Sequence, residues 1–175
     1  QVICCTVEHS KAVCSTTPTT FANTYKPGGT MSCVIGNAVA RIKESGSDGL
    51  GRWSFIKLHG KDNRLLNIIT VYQVCKQPGT ALNKGKCTAA MQQRALLSQS
   101  NKHDPNPIKH FRCDLDAFLN RSTAQGKLII LFGNFNEVLG ADSSGISKLA
   151  RTYNLVDVMH RKHPIPDPVT YARGK

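Results

Sequence analysis

Asn134, Asn136 and Glu137 stand within four residues of each other in Gly133-Asn-Phe-Asn-Glu137, directly after the apolar run Leu128 to Phe132. Two side-chain amides and a carboxylate crowded together suit an oxygen-rich ligand: a phosphate, a hydrated cation, or both. A short apolar run stopped by glycine reads as a buried strand whose carboxyl end opens into a polar loop. In α/β sheets, binding sites are built at that end.

Other chemistries find less support. No Gly-x-Ser-x-Gly occurs, so a nucleophile elbow is not expected. Gly79 to Thr88 (GTALNKGKCT) has the outline of a phosphate-binding P-loop, but five residues separate its glycines where four are required. Cys87 also replaces the hydroxyl that would hold magnesium, so the stretch reads as a basic loop. His160 and His163 enclose Arg161 and Lys162, whose charges repel a cation, and no carboxylate follows at ligand spacing, so zinc is not expected there. The seven cysteines are odd in number and include no Cys-x-x-Cys pair. They read as reduced thiols, partly core, and not as a disulfide framework.

The balance of 23 Lys plus Arg against 11 Asp plus Glu gives a formal charge of +12. That excess favours a polyanionic partner, nucleic acid first. The cations are dispersed, with small knots at 57–64, 84–86 and 161–163, so any binding face must be assembled by the fold. No apolar stretch approaches the roughly 20 residues of a membrane helix, and Gln1-Val-Ile-Cys-Cys5 has no character of a secretory leader. The expectation is an intracellular protein, nuclear or cytoplasmic, without a membrane partner. A chain of this length fits one domain. Starting without Met and ending on Arg173-Gly174-Lys175, it reads as a single partial domain over 1–175.

The elements that would position these residues follow from periodicity. Ser10 to Asn23 is rich in Ser and Thr and yields no regular element. Thr30 to Asn37 alternates, with Met31, Cys33 and Ile35 on one face of a strand. Val39 to Lys43 extends it or begins another, and Glu44 to Gly51 reads as a loop. Arg52 to His59 and Leu65 to Tyr72 are β-branched and aromatic strands joined at Gly60 to Asn63, which predicts a hairpin. Thr88 caps a helix carrying Ala90, Met91, Ala95 and Leu97. Phe111, Leu115, Phe118 and Leu119 fall on one face of a second helix, and Ile146, Leu149, Ala150 and Tyr153 on one face of a third. Leu155 to Val158 is a short strand or the end of that helix. The order predicts an α/β domain with a mixed sheet.

Three separated stretches then fall into line: Ile68-Ile-Thr-Val-Tyr72, Gly133-Asn-Phe-Asn136 and Thr170-Tyr-Ala-Arg173, with Pro27-Gly-Gly-Thr-Met31 upstream. In this order they resemble the endonuclease/exonuclease/phosphatase family of magnesium-dependent phosphodiesterases, nearest in flavour to the endonuclease domain of non-LTR retrotransposons. That family has a strand ending in Tyr, a strand ending in Gly-Asp-x-Asn, and Thr-Tyr shortly before a basic residue. The match runs from about Tyr25 to the end of the chain.

The resemblance implies a four-layered α/β sandwich of two mixed sheets flanked by helices, incomplete here at both ends. It implies a metal-dependent DNA endonuclease using Mg²⁺ (or Mn²⁺), with Tyr72, Asn134 and Asn136 at catalytic positions and Thr170 and Arg173 on the nucleic-acid backbone. Phosphoryl transfer is largely positioning and charge neutralisation, and the cation supplies much of it.

The chain departs from the family's pattern. Asn134 stands where the family has Asp and can neither accept a proton nor offset a metal's charge. Glu8 is the only acid in the first 40 residues, in surroundings unlike the family's metal-binding motif. The terminal Ser-Asp-His has no counterpart, and no metal ligand is assignable. The expected activity is therefore weak or absent. A non-catalytic, basic nucleic-acid-binding module and a phosphatase-like enzyme of the same fold on small phosphoesters are the alternatives.

Overall fold

The computed structural model describes residues 9–18, 28–75, 88–100, 102–140 and 143–162. Glu8, the Gly79 to Cys87 stretch, His163, Thr170 and Arg173 lie outside these residues.

Two sheets stack face to face. The smaller pairs β1 (Ser10–Thr16) antiparallel with β2 (Gly29–Ile35). The larger has four strands in the order β3 (Ile42–Ser47), β4 (Trp53–His59), β5 (Leu65–Tyr72) and β6 (Leu128–Asn134). The first three form an antiparallel meander, whereas β6 runs parallel to β5. A parallel neighbour needs a long crossover, here carrying α1 (Ala89–Gln99) and α2 (Pro107–Ala124). Two further helices, α3 (Gly145–Thr152) and α4 (Val158–Lys162), follow β6. The architecture is thus an α/β sandwich with mixed strand directions flanked by helices.

Local chemistry accounts for most of these elements. The β4–β5 hairpin turns through Asp62 and Asn63, both left-handed at φ 57° and 58°, a conformation that Asp and Asn tolerate. Thr88 caps α1 by accepting from the Met91 amide at 3.3 Å. Asn106 caps α2 by accepting from the Ile108 and Lys109 amides, with Pro107 at the first turn, where its missing N–H costs nothing.

Alternation along β4 and β5 divides the core. Trp53, Ile69 and Val71 face α2 and pack on Phe111, Leu115 and Leu119. Trp53 meets Phe111 edge-on with centroids 6.2 Å apart, and Phe55 lies 5.0 Å from Phe118. The opposite face, which also buries Ile56, meets the small sheet partly through hydroxyls. Ser32 Oγ lies 2.9 Å from Ser54 Oγ and 2.8 Å from Thr70 Oγ1.

Four expectations need correction. Ser10 to Thr16 is a strand: its inward side chains include Ser15, a polar residue that gives no apolar stripe to read. Part of the expected loop at Glu44 to Gly51 is strand β3, a polar strand that among the described residues pairs with β4 on one side only. Leu155 to Val158 is not a strand, and Val158 instead begins α4. The Leu128 to Phe132 run is a strand, but it is not buried on both faces. Among the described residues it is the edge of the larger sheet: Ile129 and Leu131 pack on the core, while Leu128, Ile130 and Phe132 are about half exposed (52%, 48% and 47%). The small sheet lies over β4 and β5, so among the described residues nothing in it covers this face of β6.

Candidate functional site

β5 and β6 end at the same rim, and their parallel register makes Tyr72 the partner of Asn134. Side chains of register partners leave the same face of a sheet. The structure therefore brings together the two residues that the sequence places 62 positions apart (134 − 72). Tyr72 is half-buried, its ring beside Gly28 and its backbone amide donating to the Arg52 carbonyl at 2.7 Å. Asn134 is exposed.

Gly133 makes this arrangement possible. Its φ is 137°, and a Cβ there would collide with the backbone oxygen of Val71 on the neighbouring strand. Only glycine fits so close an approach. The chain then turns: Asn134 Oδ1 accepts from the Asn136 amide at 2.9 Å, and Asn136 adopts φ 49°, left-handed but tolerable for asparagine.

Gln73, buried directly after Tyr72, stitches the turn to β5. Its backbone amide donates to the Asn134 carbonyl at 2.8 Å, and its Nε2 donates to the Phe135 carbonyl at 2.8 Å. Asn136 Nδ2 donates back to the Gln73 carbonyl at 2.5 Å. The amide nitrogen of Asn136 is thus turned inward, and Asn134 is the amide presented at the rim.

Glu137 closes the network. Its Oε1 accepts from Gln73 Nε2 at 2.6 Å and from Arg112 of α2 through Nη2 at 2.5 Å and Nε at 3.2 Å. Its Oε2 accepts from the Ile146 amide in the first turn of α3 at 2.9 Å. Burial alone would push this carboxyl's pKa up. The Ile146 N–H, the Arg112 guanidinium and the Gln73 amide outweigh that and hold it below the ordinary glutamate value.

On the other flank, Asp48 Oδ1 accepts from Ser15 Oγ and the Arg52 amide, both at 2.7 Å, and Asp48 Oδ2 from Arg52 Nε at 2.6 Å. Arg52 also meets Asp114 at 2.8 Å and lies over the Trp53 ring.

These contacts decide what the rim can hold. A carboxylate offers about four acceptor sites; three donor contacts crowd Glu137 Oε1, one holds Oε2, and the Arg112 guanidinium already balances the charge. Asp48 and Asp114 both pair with Arg52, whose charge offsets theirs. The described residues of this rim therefore do not fit a divalent cation, and among them no group of three His, Cys, Asp or Glu could hold one. What the rim presents is the exposed Asn134 amide beside the half-buried Tyr72, on a chain of strongly positive charge. Such groups suit phosphate oxygens.

The sequence did not single out Gln73, Arg112, Arg52 or Asp48. Gln73 carries a weak signal, since a polar residue following an apolar strand faces the same rim. Arg112 carries none, because its role depends on a partner 25 residues away. Compared with known proteins, the chain matches no family model, no curated protein and no solved structure.

Proposed function

We propose that the chain is a phosphodiester-binding domain on an endonuclease-type sandwich, holding DNA by its backbone and hydrolysing it weakly or not at all. One observation carries this reading. Tyr72 and Asn134 stand side by side at the carboxyl rim of two parallel strands, while the only carboxylate of the adjoining turn, Glu137, is consumed by internal donors. Phosphate recognition needs the donors; hydrolysis needs in addition a carboxylate to position water or a metal. Asn134 keeps the shape of that group and lacks its charge. The formal charge of +12 supplies the long-range attraction to a polyanion.

The test pairs binding with turnover. Duplex DNA titrated at low and at physiological salt should bind with an affinity that falls steeply as salt rises, because contacts to phosphates release counterions. In the same preparation, supercoiled plasmid with Mg²⁺ should remain un-nicked by the natural chain, and nicking gained by Asn134→Asp would identify Asn134 as the lesion. Salt-independent binding would remove the reading. Robust nicking by the natural chain, unaffected by changing Tyr72 or Asn136, would show that the reactive groups lie elsewhere. Hydrolysis of small phosphoesters without DNA binding would favour the phosphatase-like alternative.

A further inference from the structure

We propose that Glu137 is a positioning residue, whose carboxylate clamps the Asn134–Asn136 turn to β5, α2 and α3 and thereby sets where Tyr72 and Asn134 meet a phosphate. This deepens the functional reading above and rests on it.

Three features carry the inference. The carboxylate hydrogen-bonds to all three surrounding elements: Gln73 after β5, Arg112 in α2 and Ile146 in α3. The first turn of α3 depends on it, because Ser144 supplies no side-chain capping hydrogen bond and Glu137 Oε2 fills that role at Ile146. Gly145, at φ 60°, leaves room for this contact, since a Cβ there would strike Glu137 Oε2 and approach Arg112 Nη2 to 2.8 Å.

A carboxylate beside two asparagines otherwise invites assignment as a metal ligand. Its partners argue against that, because three donors crowd Oε1, the Ile146 amide holds Oε2, and the Arg112 guanidinium beside them repels a cation. Released, the turn would hold through Gln73, Asn136 and the packing of Phe135 alone, and the exposed Asn134 side chain would be set less firmly beside Tyr72.

The experiment uses the full chain and Glu137→Gln. A carboxamide has one acceptor oxygen in place of two and turns N–H groups toward donors. Amide hydrogen exchange at Asn136 and Ile146 should accelerate about tenfold or more, with Ile69 in the core unchanged. Affinity for duplex DNA should weaken several-fold, and the Asn136 side-chain amide resonance should move toward that of an unbonded amide. Titrating Mg²⁺ into the natural chain should leave the ¹³C resonance of the Glu137 carboxyl unmoved. If Glu137→Gln fails to fold, Arg112→Lys keeps the charge, removes the fork and serves the same measurements.

Unchanged exchange at Asn136 and Ile146, or a carboxyl resonance that follows Mg²⁺, overturns the clamp. Accelerated exchange with undiminished DNA affinity overturns its positioning role. Should the natural chain bind no DNA, the functional reading falls by that result, and exchange together with the Mg²⁺ titration still judges the clamp.

Discussion

Tyr72 and Asn134 are partners in the parallel ladder between β5 and β6, and Gly133 admits the close approach that aligns them. A phenol and a carboxamide on one face of one rim can donate to two oxygens of one phosphate. A hydrogen bond to a charged group contributes about 1.5–3 kcal/mol. Tyr72→Phe should therefore weaken duplex binding about tenfold or more. Fluorescence anisotropy at low salt reads the affinity; an unchanged Kd would remove Tyr72 from the interface.

Gly133→Ala tests the geometry that aligns them. The new methyl group meets the Val71 carbonyl, and the left-handed φ adds strain. Together these should lower stability by about 2 kcal/mol or more. Denaturant unfolding measures the loss. A variant as stable as the natural chain would mean that β6 does not approach β5 in this way.

Acid should loosen the rim through Glu137. Its folded pKa lies below its ordinary value of 4.5, so the folded state favours the charged form. The stabilisation is fully present above the ordinary value and is lost as pH falls through the depressed folded one. Stability measured by urea unfolding between neutral pH and pH 3 should decline in that window, and Glu137→Gln should decline less. Parallel pH profiles for the two proteins would show that Glu137 contributes nothing there.

The outer face of β6 should drive self-association. Leu128, Ile130 and Phe132 are exposed in alternation on an edge strand, the arrangement that recruits further strands. Ile130→Lys places a charge in the middle of that face. It should raise the concentration at which light scattering first increases and leave the far-ultraviolet circular dichroism unaltered. Identical scattering curves would show that association, if any, uses another surface.

The sequence was legible where its signals were local. The Gly60 to Asn63 turn, the cap at Thr88 and the Phe111-Leu115-Phe118-Leu119 stripe each depend on neighbours within a few residues, and each appears where expected. Alternation in β2 announced a strand but not its orientation. Met31 and Ile35 face outward at 52% and 63% exposure, while Thr30 and Ser32 are buried. An apolar face normally turns inward, but here Ser32 finds hydroxyl partners across the sheets, which removes the usual penalty for burying it.

The candidate site divides in the same way. Tyr72, Asn134 and Asn136 could be picked out because each follows or ends an apolar strand. Their supports could not, since the Gln73–Glu137 bond spans 64 residues and the Arg112–Glu137 pair spans 25. Such a partnership exists only once the parallel crossover has formed.

The hydroxyl contacts between the two sheets have a consequence for how the molecule comes apart. Ser32, Ser54 and Thr70 hold one another by directional bonds that water can replace almost one for one. The aromatic layer between the large sheet and α2 has no such substitute, because water gains nothing by entering it. The joint between the sheets is therefore the natural point of wetting. On heating, β1 and β2 should peel away as a pair while the helix-backed sheet still stands, and the end of β5 that carries Tyr72 would lose its cover before it loses its backbone.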